Sequence, residues 1–151
     1  ALEGFQGVKR RLELLGSPGD VAVYDDFAHH PTAIATTLQG LRARAGKGRV
    51  IALVEPRSNT MRMGEHREQL ASATAAADCV YWFQPPGMDW SLESVVGASL
   101  VPASVVADVD ELVLQVAREA RPGDQVVIMS NGSFGGIHQK LLQQLQDAAS
   151  R

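Results

Sequence analysis

The chain has 151 residues, 45% of them hydrophobic and 21% charged, with a net charge of −3. That is one domain's worth of chain with enough apolar residues for a core, and with no basic excess to neutralise the phosphates of a nucleic acid. The single cysteine, Cys79, excludes an internal disulfide, no run approaches the ~18 apolar residues of a membrane span, and the amino terminus lacks a signal-peptide pattern, so a cytoplasmic location without a membrane partner is expected.

Phe5-Gln6-Gly7-Val8 runs into Lys9-Arg10-Arg11-Leu12-Glu13-Leu14-Leu15, which reads as a short strand opened by three consecutive cations. Such a run is ordinarily a solvated face, yet at the edge of a domain it can also meet a phosphate held by a neighbour. After a turn at Gly16-Ser17-Pro18-Gly19-Asp20, Val21-Ala22-Val23 reads as a buried strand. Tyr24-Asp25-Asp26-Phe27-Ala28-His29-His30-Pro31-Thr32 follows, then a helix to about Arg44. Pro31 suits the first helical position and restricts His30 to extended backbone. Two acids and two histidines thus stand at a strand-to-helix turn, where α/β sheets bind ligands. Helix capping and solvated histidines account for the same residues without a ligand. Gly46-Lys47-Gly48 follows a helix and precedes a strand, the reverse of a phosphate loop.

Arg49 to Val54 is a second buried strand, ending in Glu55-Pro56-Arg57-Ser58-Asn59-Thr60-Met61-Arg62. Arg57 and Arg62 can present planar forks to carboxylates, with Ser58, Asn59 and Thr60 adding neutral hydrogen bonds. Glu65 to Ala77 reads as an alanine-rich helix and Cys79 to Phe83 as a third strand, its thiol a buried structural group. A short helix through Leu92, Val95 and Val96 is expected next, with Trp90 packing on it. Ser104 to Ala107 reads as a fourth parallel strand. Asp108, Asp110 and Glu111 then open a helix whose dipole explains them, and Leu112, Val113, Val116 and Ala117 follow helical spacing.

A fifth parallel strand, Gln125 to Met129, ends in Ser130-Asn131-Gly132-Ser133-Phe134-Gly135-Gly136. Glycines there permit close backbone approach, and Ser130, Asn131, Ser133 and Phe134 offer hydrogen bonds and an apolar contact at a helix start. The last helix, 137–148, is expected to turn Leu141, Leu142 and Leu145 to the sheet.

The polar clusters at 25–32, 55–62 and 130–134 each follow a buried strand and precede a helix, so a parallel sheet brings them to one edge. The opposite edge, at Gly46-Lys47-Gly48, Asp78 and Arg121-Pro122-Gly123-Asp124, carries turn chemistry. The predicted fold is α/β: a Rossmann-like, mostly parallel sheet of about six strands, one antiparallel, with helices on both faces. No Gly-x-Gly-x-x-Gly follows the first strand and no Gly-x-Ser-x-Gly elbow is present, which disfavours a dinucleotide dehydrogenase and a serine hydrolase. Asp25, Asp26, His29 and His30 lack a third cluster at ligand spacing, so no metal site is expected in this chain.

On Arg10-Arg11-Leu12-Glu13 and Asp26-Phe27-Ala28-His29-His30-Pro31, the chain resembles the C-terminal domain of the Mur ligases, ATP-dependent amide-forming enzymes of bacterial peptidoglycan metabolism. The first turn is similar to that of the alanine-adding members. Glu55-Pro56-Arg57-Ser58-Asn59-Thr60-Met61 and Ser130-Asn131-Gly132-Ser133-Phe134-Gly135-Gly136 instead look like members that join the recycled tripeptide L-Ala-γ-D-Glu-meso-diaminopimelate to UDP-N-acetylmuramate.

The resemblance implies that residues 1–16 are the interdomain linker and first strand, and 17–151 the C-terminal domain of a three-domain enzyme. It places Arg11, the catalytic side chain, at the ATP γ-phosphate and Asp26 at the ribose hydroxyls, with Phe27 and His29 shaping the nucleotide pocket. Arg57, Ser58, Asn59, Thr60, Arg62, Ser130, Asn131, Ser133 and Phe134 would hold the tripeptide. ATP and Mg2+ are the implied cofactors, with the magnesium ligands in the central ATPase domain. That domain and an N-terminal UDP-binding domain are the implied partners within the same polypeptide. The isolated domain is expected to be inactive. Alanine addition or another amino-acid-adding activity is the nearest alternative, and a stand-alone nucleotide-binding or interaction module the alternative of another class.

Overall fold

The computed structural model describes residues 12–28, 30–46, 48–55, 67–84, 92–130 and 134–150. Strand β1 (Glu13–Gly16) runs antiparallel to β2 (Ala22–Asp26). Across the sheet follow β6 (Gln125–Met129), β3 (Val50–Val54), β4 (Cys79–Phe83) and β5 (Ala103–Val106), all parallel to β2. The predicted six-stranded, mostly parallel α/β sheet with one antiparallel strand is what the chain forms.

The sheet is sandwiched because its central strands are apolar on both faces. In β3 all five residues are buried, and alternation divides them. Val50, Ala52 and Val54 pack with Val127, Met129, Val80 and Trp82 against α1 (Pro31–Ala45), α2 (Arg67–Ala73) and α3 (Glu93–Gly97). Ile51 and Leu53 pack with Val126, Ile128, Tyr81 and Phe83 against α4 (Val109–Glu119) and α5 (Ile137–Ala149). Each fully buried aliphatic or aromatic side chain contributes roughly 1.5–3 kcal/mol.

Helix boundaries follow local chemistry. His30 is extended (φ −103°, ψ 152°) and Pro31 occupies the first turn of α1 as the sequence predicts. Asp108 caps α4 by accepting from the Asp110 and Glu111 N–H groups, a structural role more specific than the helix-dipole effect expected for these acids. Helix α2 is shorter than the expected 65–77 stretch at its carboxyl end. The Thr74 hydroxyl donates back to the Ala71 carbonyl at 2.9 Å, and the chain turns over residues 74–76. Leu141 and Leu145 of α5 are buried, with Leu142 at their margin. Trp90 lies outside the described residues.

The amino edge of the sheet is better fastened than turn composition suggests. Arg42 pairs with Asp78 and donates to the Gly48 and Ala76 carbonyls, while an Asp78 oxygen accepts the Val50 N–H at 2.7 Å. Arg49 pairs with the buried Asp124 at 2.7 Å, and Asp124 also accepts the Arg121 N–H. These groups tie the starts of β3 and β6 to the ends of α1 and α4.

Candidate functional site at the carboxyl edge

The chain travels outward from β3 to β4 and β5, then α4 carries it back so that β6 inserts between β2 and β3. Met129, the last residue of β6, pairs with Asp26 on one side and Val54 on the other. The segments starting at Phe27, Ser130 and Glu55 therefore leave the sheet side by side, as the convergence of the three polar clusters predicts.

Contrary to the sequence expectation, Asp25 and Asp26 do not lie in the turn but close β2, which runs three residues beyond Val23. Strand alternation then sends them to opposite faces. Asp25, 7% exposed, meets the His138 Nε2 atom on the first turn of α5 at 3.0 Å. Asp26, 3% exposed, faces the α1 side, where Oδ1 accepts the Ala28 N–H at 2.8 Å and Oδ2 the Leu12 N–H at 2.9 Å. Phe27 follows, 46% exposed.

Around the end of β6 the contacts are short. The Ser130 N–H donates to the Asp26 carbonyl of β2 at 3.1 Å, and the Glu55 N–H to the Met129 carbonyl at 3.0 Å. The Ser130 hydroxyl donates to Glu55 Oε1 at 2.6 Å, with both residues buried. Ser130 thus bridges the ends of β2 and β3. Phe134 is fully buried in the α4–α5 core, its ring centroid 5.2 Å from that of Phe83, and its backbone has φ +51°. Its ring shapes the turn from below and presents no surface at the edge.

Arg11, His29, Arg57, Ser58, Asn59, Thr60, Arg62, Asn131 and Ser133 lie outside the described residues. Among the described residues, Asp26, Phe27 and Ser130 meet at the edge, with Phe134 beneath. Glu55, Leu12 and His138 complete the arrangement and were not singled out from sequence. An acid one residue past a buried strand was the available signal for Glu55; none existed for Leu12.

No group of three or more His, Cys, Asp and Glu residues is placed to hold a metal ion among the described residues. The three edge carboxylates each bond to protein groups instead. Cys79 is remote from the edge, and burial together with neighbouring Glu119 pushes its thiol up to about 12. No described helix is long and apolar enough to cross a membrane.

The family model for the Mur ligase glutamate ligase domain matches residues 10–132. An Escherichia coli (strain K12) protein named UDP-N-acetylmuramate–L-alanyl-γ-D-glutamyl-meso-2,6-diaminoheptandioate ligase is 50% identical over 150 residues, 99% of this chain and 33% of its own length. A murein peptide ligase structure from Psychrobacter arcticus superposes with a TM-score of 0.86 at 45% identity, covering 97% of this chain and 32% of the other. A crystallised domain of a putative ligase of the same kind from Haemophilus ducreyi gives 0.77 at 45% identity over 89% of this chain and 99% of its own. The chain spans about a third of the length of the curated relatives it matches.

Proposed function

Because the chain belongs to the Mur ligase glutamate ligase domain family, we propose that it is the C-terminal domain of an ATP-dependent ligase that joins UDP-N-acetylmuramate to L-Ala-γ-D-Glu-meso-diaminopimelate. Its carboxyl sheet edge receives the incoming peptide and closes over the nucleotide. The observation that carries this reading is the shared rung of Asp26, Met129 and Val54, from which the three segments that this reading gives to the nucleotide and the peptide start as neighbours. Similarity of nearly the whole chain to tripeptide-joining relatives supports the choice of peptide.

The muramoyl carboxylate is activated by ATP as an acyl phosphate, and the peptide α-amine displaces phosphate through a tetrahedral intermediate. The residues of this chain position and neutralise. Arg11 would balance charge at the γ-phosphate, and Asp26, Phe27 and His29 would border the ribose and base, the half-exposed Phe27 ring offering an apolar face. Arg57 and Arg62 would take peptide carboxylates in bidentate geometry, with Ser58, Asn59, Thr60, Asn131 and Ser133 as neutral donors. Ser130 and Phe134, both buried, would set the loop and leave its backbone to meet the peptide. Magnesium fits no cluster of the described residues and would be held by the central domain, as would the P-loop. A cytoplasmic setting, where UDP-sugars and ATP coexist, accords with this reading.

The test is a ligation assay on the parent polypeptide with ATP, magnesium and UDP-N-acetylmuramate, the tripeptide competing against free L-alanine and products identified by mass. The reading expects the tripeptide product to dominate. Predominance of the alanine product would reassign the enzyme within the family, and absence of ATP-dependent amide formation would remove the ligase reading.

A further inference from the structure

Leu12 is one of three non-glycine residues with positive φ among the described residues, at +47°. A leucine adopts that conformation only under constraint, at a cost of roughly 1–2 kcal/mol. The constraint is visible: its N–H donates to Asp26 Oδ2 at 2.9 Å, while the other Asp26 oxygen accepts the Ala28 N–H. The carboxylate is 3% exposed, and the Asp26 carbonyl accepts from Ser130. One buried carboxylate therefore holds both Leu12, 14 residues before it at the start of the described fold, and the turn after β2. The Leu12 side chain also packs on the α1-side core.

We propose that Asp26 is a positioning residue that fixes the direction in which the chain joins this domain, by locking Leu12 in its left-handed conformation. This rests on the ligase reading, in which the chain before Leu12 leads to the central domain and carries Arg11. A rotation of φ at Leu12 redirects everything preceding it relative to the sheet edge, so the lock sets where the domain sits when it closes. A carboxylate oxygen has two acceptor sites, and the lock uses one on each. A ribose contact at Asp26 is compatible with this role but does not account for the strain at Leu12.

The decisive variants are Asp26→Asn, which keeps shape and one acceptor, and Asp26→Asn combined with Leu12→Gly, since glycine adopts positive φ without the lock. Amide exchange at Leu12, followed by NMR in the 151-residue chain, should accelerate about tenfold or more in Asp26→Asn, as expected for loss of a charge-assisted hydrogen bond. In the parent ligase, kcat should fall by the same factor with ATP and with 2′-deoxy-ATP or 3′-deoxy-ATP, and the double variant should recover part of it. Unchanged Leu12 exchange overturns the proposal. So does a defect confined to the KM for ATP that disappears with a deoxy analogue, or no recovery in the double variant. The exchange measurement needs no catalysis, so a wild-type parent without ligase activity would remove the proposed function while leaving the lock separately tested.

Discussion

The Ser130 hydroxyl donates to Glu55 Oε1 at 2.6 Å across the gap between β6 and β3, with Ser130 fully buried and Glu55 6% exposed. A buried carboxylate deprived of its donor keeps its desolvation penalty. Ser130→Ala should therefore destabilise the domain by about 1–3 kcal/mol, seen as a melting temperature lower by roughly 2–4 °C per kcal/mol. If the loops after β3 and β6 hold the peptide as proposed, the same variant in the parent enzyme should raise the KM for the tripeptide more than that for ATP, because the bond joins the bases of those loops. Equal effects on both substrates would argue that Ser130 only stabilises the fold.

Gly135 combines φ +60° with a position where an added Cβ would lie 2.9 Å from Val109 Cγ2. Gly135→Ala should cost about 1–3 kcal/mol. At Gly136, φ is +74° but, its chain neighbours aside, no atom of the described residues lies within 4 Å of such a Cβ, so Gly136→Ala should cost less. Calorimetry on the pair separates steric from conformational cost; equal losses would show that Val109 yields freely.

Asp78 has its carboxyl below the ordinary range. Burial alone would raise it, but the Val50 N–H and the Arg42 guanidinium outweigh that effect. Its folded value is thus depressed relative to the unfolded chain, so its stabilising contribution is complete above the unfolded value of about 3.9 and disappears as pH falls through the lower folded value. The group is 40% exposed, so solvent screening keeps the contribution small. Asp78→Asn should flatten the acid limb of stability against pH below about 4 and leave its shape near neutrality unchanged. An unaltered acid limb would mean that other carboxylates set it.

Cys79, with its thiol pushed up to about 12 by burial and by Glu119, carries almost no thiolate at pH 8. Its alkylation in the folded chain should be more than about a hundredfold slower than that of a free thiol, and denaturant should abolish the difference. Fast modification of the folded form would mean that the amino end of β4 opens readily.

Much of the sheet was legible because its central strands are short, apolar on both faces and separated by well-marked turns; β3 and β6 begin and end within a residue or so of their sequence reading. The inward paths of α4 and α5 followed from the spacing of Leu112, Val116, Leu141 and Leu145. What escaped was pairing at a distance. Nothing local to Asp26 indicates that it grips Leu12 or that its neighbour Asp25 turns to the opposite face towards His138, and nothing in Glu55 announces Ser130, 75 residues away. Phe134 read as an apolar contact offered at the turn, yet its ring packs on Phe83 in the core. Polar residues past strand ends mark the edge of a site from sequence, while the division between ligand-facing and scaffold groups depends on tertiary contacts.

In the proposed function the peptide meets this chain at the carboxyl edge of its sheet. The most direct measurement is hydrogen exchange on the parent ligase with UDP-N-acetylmuramate and a non-hydrolysable ATP analogue, before and after addition of L-Ala-γ-D-Glu-meso-diaminopimelate. Added protection over residues 55–62 and 130–134, with residues around Arg42, Arg49 and Asp124 unchanged, is the predicted result. Protection confined to the Arg42–Asp124 edge, in an enzyme that turns over the tripeptide, would contradict it.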